Sequence, residues 1–297
     1  MNTLIAPLII GGQGTYHDSE FHTEFPDREL SLEYMMEVAA VAHRFKYTHI
    51  VPSGGFTQSL TPQTSEAASF PEVWKEFAID LEGRVVVNDE VALDSAENVI
   101  CGLMAVRIHE NANHVTPRRI GRIGFFSQWH FKKRRMTELA RQLGIEKSFY
   151  FHGYAHALKA AAGDAAQSGE QRQLDRMIAT NDFLLLAEEW ETKRRQRFKP
   201  GRNDDGTETN AFISAYENRF ANSEYDLLAS FAVVYEALKS LKHTTIHELS
   251  NAAASQDYDA RTMLEQVHTS KVKRLKEVFR EQVILGKVEI VKKSHAS

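Results

Sequence analysis

Several short segments in the first half of the chain combine glycine, hydroxyl, carboxylate and basic side chains in ways suited to holding a small charged ligand. Gly11-Gly12-Gln13-Gly14 closes an apolar run, and its backbone amides can approach a phosphate or carboxylate closely. It is not a GxGxxG fingerprint, and a plain loop fits it equally well. Ser53-Gly54-Gly55 offers a hydroxyl and two residues tolerant of close backbone approach, or simply a tight turn. Thr64-Ser65-Glu66-Ala67 reads as a capped helix start, with Glu66 as an acceptor for a ligand hydroxyl or amine, or as a general base. Asp89-Glu90 precedes Asp94-Ser95-Ala96-Glu97-Asn98, where Glu97 suits a capping interaction and Asn98 offers donor and acceptor together. Ser127-Gln128-Trp129-His130 runs into Lys132-Lys133-Arg134-Arg135, a histidine suited to proton transfer beside four cations that favour an anion. A solvated basic helix face accounts for the same four cations. His152-Gly153-Tyr154-Ala155-His156 is the last segment, placed to close a pocket.

These segments fall where strands are expected to end. Strands are expected at Leu4–Ile10, His49–Val51, Val85–Val87, Ile120–Phe126 and Ser148–His152. Helical spacing is expected over Asp27–Phe45, Thr64–Ile79, Ser95–His109 and Lys132–Leu143. Strands alternating with helices predict parallel pairing, hence an α/β fold with a Rossmann-like open, mainly parallel sheet. Ligands bind such sheets at the carboxyl ends of the strands, near a topological switch point. After about residue 153 the pattern turns helical, so residues 1–153 are read as the sheet domain. Residues 154–297 are read as a mainly helical extension, a lid or an oligomerisation region. Phe212, Tyr216, Phe220, Leu227, Phe231, Val234 and Leu238 form an apolar stripe there that needs burial. Val283–Val291 reads as a late strand.

With 42% hydrophobic and 26% charged residues among 297, the composition is that of a water-soluble globular protein. A net charge of −4 argues against a general nucleic-acid binder. The single cysteine, Cys101, excludes an internal disulfide framework and is expected to be buried in a helix. The first residues read as a strand, with neither signal peptide nor membrane span, so the expected location is cytoplasmic. The 13 histidines form neither an HExxH motif nor a cysteine-rich ligand set, which argues against zinc. A carboxylate-held magnesium ion fits if the ligand carries phosphate.

Taken in order, Gly11-Gly12, Arg28, Ser53-Gly54-Gly55, Ser65-Glu66-Ala67, Glu90, Ser95-Ala96-Glu97-Asn98 and the run Ser127 to Arg134 resemble the bacterial YdcF/SanA/ElyC family. The match spans residues 4–152, about half the chain. It departs where the family has Arg three positions after the histidine; here Lys133 stands there and Arg134 follows. The resemblance implies a Rossmann-like sheet of the soluble YdcF type, with S-adenosylmethionine binding and no established reaction.

The expected function is therefore a small-molecule binding protein or enzyme acting on a nucleotide-like or phosphate-bearing ligand. A hydrolase or transferase would be the enzyme class, and S-adenosylmethionine or magnesium the candidate cofactor. Gly11, Gly12, Arg28, Ser53, Gly54, Gly55, Glu66, Glu90, Asn98, Ser127, His130 and Arg134 are the candidate ligand-binding residues, with His130 and Glu66 for acid/base chemistry. The alternative is a regulatory or nucleic-acid-binding protein using the helix-turn-helix-like segment Thr245–Ser250 and the basic residues Lys271, Lys273, Arg274 and Lys276.

Overall fold

The computed structural model describes residues 4–12, 14–22, 31–55, 64–90, 92, 95–114, 116 and 118–154. It also describes residues 167–172, 174–175, 201–202, 208–209, 266, 269–270 and 273–287. Five strands form one parallel sheet: β1 (Pro7–Gly11), β4 (His49–Ser53), β5 (Val85–Val86), β6 (Ile123–Ser127) and β7 (Phe149–Gly153). Their spatial order is β5-β4-β1-β6-β7. Between β1 and β4 lies a small antiparallel hairpin, β2 (Thr15–His17) and β3 (Glu20–His22). The helices are α1 (Leu32–Arg44), α2 (Glu66–Glu76), α3 (Ser95–Asn113) and α4 (Lys133–Leu143), the last entered through a 3-10 turn over His130–Lys132.

Strand alternation divides the core into two layers. Leu8 and Ile10 of β1, Ile50 of β4 and Phe126 of β6 pack with Tyr34, Val38, Phe70 and Trp74 of α1 and α2. Ile9, Val51, Ile123 and Phe125 point the other way, onto Val99, Leu103 and Val106 of α3 and Met136 and Leu139 of α4. The chain thus winds outward from β1 in one direction and, after α3 crosses back, in the other. The switch point lies between β1 and β6, as expected for a doubly wound sheet.

Residues 273–287, read from sequence as part of a helical extension, enter this same core. Leu275, Val278, Phe279 and Val283 are buried with Ile5, Ile9 and Phe125. The expected strand from Val283 does not begin there: Arg280–Ile284 form a π-helical turn, and its end is fixed by Arg107 of α3. Arg107 is fully buried and donates to the carbonyls of Val283 (2.8 Å), Ile284 (3.2 Å) and Arg118 (2.9 Å). Burial pushes its guanidinium down to about 10. Cys101 is only partly buried on α3, not fully as expected. The apolar stripe Phe212–Leu238 and the segment Thr245–Ser250 lie outside the described residues.

At the opposite end of the sheet from the strand termini, His49 and Glu110 are buried against each other, Nε2 to Oε1 at 3.1 Å. Arg118 donates to both Glu110 oxygens, at 2.9 and 2.7 Å. Burial pushes the His49 imidazole down, outweighing the pull of Glu110, and burial likewise lowers His109 and His152. Burial alone would raise the Glu110 carboxyl, but Arg118, His49 and His114 hold it below its ordinary value. All four shifts have one sign: the unfolded chain binds these protons more readily, so stability is present above the unfolded pKa and lost as pH falls. The thermal midpoint should therefore decline from pH 7.5 to 5.5 as the histidines charge, and further below about pH 4 as Glu110 protonates. A flat midpoint across the first interval would contradict the histidine assignment.

Candidate functional site

Parallel pairing brings three strand ends into register. Gly11 stands opposite Ser53 on one side and Ser127 on the other. By strand alternation all three continue the face that carries Ile9, Val51 and Phe125, so they meet the first turn of α3. Ser53 Oγ donates to Asp89 Oδ2 at 2.6 Å and lies 3.5 Å from the Asn98 carbonyl. A Cβ placed on Gly11 would come within 3.1 Å of Asn98 Nδ2, so glycine is what lets the carboxamide lie on the end of β1. Gly12 faces the other layer, where a Cβ would meet Phe70 at 3.0 Å and Glu66 Cβ at 3.9 Å. The crevice is bounded by the openings of α2 and α3, astride the end of β1.

α2 is held at this crevice by its own start. Ser65 caps the helix by accepting from Ala68 N (3.0 Å) and donates to Glu90 Oε2 (3.0 Å). The amides of Glu66 and Ala67 donate to the carbonyls of Gly55 and Gly54. Gly54 and Gly55 donate in turn to Asp89 and Ala92. Ser65 is the expected cap, and Glu66 is 7% exposed with its side chain against Gly54. Tyr34 donates to the Gly11 carbonyl at 2.7 Å; burial, then the Glu66 charge, raises the phenol well above its ordinary value, so it stays a donor. Tyr154 packs edge-on against Tyr34, at 5.8 Å between rings.

The basic run is divided by helix geometry. Lys132 is turned inward, its Nζ donating to Ser95 Oγ at 3.2 Å and lying 4.6 Å from the centre of the Trp129 ring. Arg135 is buried and pairs with both oxygens of Glu170, whereas Arg134 is exposed and donates to Gln171. His130 is exposed on the 3-10 turn, its backbone close against Gly153. Ser127 Oγ accepts from Trp129 N at 3.3 Å. His152 turns to Tyr47, whose hydroxyl, pushed up to about 12 by burial, shares a hydrogen bond with Nε2 at 2.7 Å.

The structure thus brings together Gly11, Gly12, Ser53, Gly54, Gly55, Glu66, Glu90, Asn98 and Ser127, while His130 and Arg134 face outward and Arg28 lies outside the described residues. Sequence selection passed over Asp89, Lys132 and Tyr34. The paired residues Asp89 and Glu90 differ by one step of strand parity, and it is Asp89 that bridges to Ser53. Among the described residues no group of three or more His, Cys, Asp or Glu is placed to hold a metal ion, and no helix is long and apolar enough to cross a membrane. No protein-family model, curated protein or solved structure matches the chain, so the reading of this site rests on its own geometry.

Proposed function

We propose that this is a small-molecule binding protein or enzyme of the YdcF-like kind. Its ligand is nucleotide-like or phosphate-bearing, S-adenosylmethionine among the candidates, and sits where β1 and β6 diverge. The observation that carries this reading is Asn98. It is 7% exposed, yet among the described residues its carboxamide makes no hydrogen bond; only its main-chain carbonyl is engaged, by Ser53. A carboxamide offers a ligand both a donor and an acceptor. Here it lies on the end of β1 beside the switch point, where an open α/β sheet binds ligands. If a proton is transferred in this site, Glu66, turned into the crevice, is better placed for it than the exposed His130.

The test is the thermal midpoint of the purified protein with S-adenosylmethionine, adenosine, nucleotides, sugar phosphates and isoprenoid phosphates, each with and without magnesium. A ligand at about a hundred times its Kd adds roughly 2.7 kcal/mol, or a rise of about 5–10 °C at this size. The shift should shrink sharply in Asn98→Ala, which loses the donor and acceptor together. No shift from any member of the panel would overturn the reading.

A further inference from the structure

We propose that the open edge of the sheet, strand β7, takes an acidic peptide in extended conformation as a sixth strand. This surface lies where β6 and β7 begin, away from the crevice, and is independent of the ligand bound there.

Among the described residues β7 pairs with β6 alone, so its other side is an edge. The Ser148 carbonyl accepts from the Ile123 amide, and the Tyr154 amide donates to the Ser127 carbonyl. The even-numbered residues of this strand therefore bond to β6, and the amides and carbonyls of Phe149, Phe151 and Gly153 face the open side. Beside that edge, on the α1 side of the sheet, the surface is aromatic and cationic. Tyr150 is 50% exposed, and Phe45, at the end of α1, is 37% exposed and packs against His152 at 4.7 Å between ring centres. Arg44 lies over the Phe45 ring at 5.4 Å. Arg122 lies over the Tyr150 ring at 5.7 Å and donates to the Phe45 carbonyl at 2.6 Å. Aromatic residues and arginine are the types in which protein interfaces are enriched.

The charge on this surface has one sign. Arg44, Lys46 and Arg122 are exposed, and among the described residues none of them pairs with a carboxylate. Glu82, which comes close to this end of α1, is taken by His43 and Arg84. Antiparallel pairing of two β7 strands would set the same cations against each other, so the edge repels a second copy of itself. An acidic strand meets the opposite condition. Its side chains would alternate between Tyr150 and the cations on one face and the half-buried Phe149 and Phe151 on the other, while its backbone completes the edge. A nucleic-acid strand could use the rings and the cations but would leave the donors and acceptors of the edge unmet.

The experiment is a calorimetric titration of the full chain with a short peptide of alternating valine and glutamate. Its fully N-methylated form, a valine–lysine counterpart and an oligothymidylate are the comparison probes. The acidic peptide should bind with a Kd on the order of 0.1–1 mM, as a few backbone hydrogen bonds and exposed charges allow. Reversing two cations together, Arg44→Glu with Lys46→Glu, should weaken it about tenfold and leave the thermal midpoint near that of wild type. Tyr150→Ser, on the strand itself, should weaken it several-fold. Hydrogen exchange with peptide bound should slow at the amides of Phe149 and Phe151 and stay unchanged at Tyr150 and His152, which already bond to β6. Absence of binding at about 1 mM overturns the proposal. So does binding that survives N-methylation, equal binding of the lysine peptide, unchanged affinity in both variants, or unchanged exchange at Phe149 and Phe151. Tighter binding of the oligothymidylate, with displacement of the peptide, overturns it as well and makes the surface one for nucleic acid.

Discussion

Replacing Arg107 with methionine should destabilise the protein by about 3–5 kcal/mol, a drop in thermal midpoint on the order of 10 °C. The methionine fills most of the volume but donates nothing. Three carbonyls lose the guanidinium that joins them: that of Val283 in a buried position, and those of Arg118 and Ile284 in partly buried ones, Ile284 keeping the Ile120 amide. The orphaned Val283 acceptor carries a penalty of about 1–3 kcal/mol, and the loss of the charge-assisted bonds to the other two adds to it. The damage should be local before it is global. Residues 273–287 are tied to the sheet by Arg107, by the Ile120 amide on the Ile284 carbonyl, and by Leu275, Val278, Phe279 and Val283 in the core. Hydrogen exchange should show amides 278–285 losing protection ahead of β1, β4 and β6. A variant with wild-type midpoint and wild-type protection there would mean that the C-terminal turn is held by apolar packing alone.

That contact also shows what local sequence can carry. The five strands are readable because each is a short apolar run ended by glycine or a polar residue, and the helices between them repeat at 3.6. The hairpin from Thr15 to His22 is less visible, since its turn is Asp18-Ser19 and not the usual Asn-Gly, although both residues take the positive φ that such a turn needs. Arg107 is plainly a charge inside an apolar helix, but its partners lie up to 177 residues away and no spacing rule points to them. Val283 and Ile284 look like the start of a strand because β-branched residues suit one, yet a helix already packed against the sheet carries them into a π turn.

The site divides along similar lines. Glycines and carboxylates at strand ends are legible because parallel pairing places every such end on one edge. Which of two neighbours faces the crevice is a matter of parity and phase. Asp89 wins over Glu90 for the bridge to Ser53 by one residue of register. Four successive cations sweep a full helical turn, about 100° each, so sequence cannot single out the one that faces in. The 3-10 turn before α4 sets that phase, and Lys132 and Arg135 face inward where Lys133 and Arg134 do not.

Gly54→Ala should leave a folded, cooperative protein that has lost its response to ligand. A Cβ at residue 54 would stand 2.8 Å from Glu66 Cβ and nearer still to its carboxylate. The strand end cannot retreat, because the Gly54 amide donates to the Asp89 carbonyl at 3.0 Å and its carbonyl accepts from Ala67 at 2.9 Å. Glu66 cannot simply choose another rotamer, because the clash reaches Cβ, which its backbone fixes. The start of α2 must therefore shift, carrying Glu66 and the Ser65–Glu90 bond out of place. Overpacking of this kind costs about 1–3 kcal/mol, a fall of roughly 2–12 °C in midpoint, without loss of the two core layers. Gly83→Ala is the matched control: it sits at φ +69 in a turn where an added Cβ meets nothing within 4 Å. That variant should lose on the order of 1 kcal/mol from backbone strain and keep the full ligand shift. If Gly54→Ala keeps it as well, Glu66 does not touch the ligand, and the site must be redrawn around Asn98 and the α3 side of the crevice.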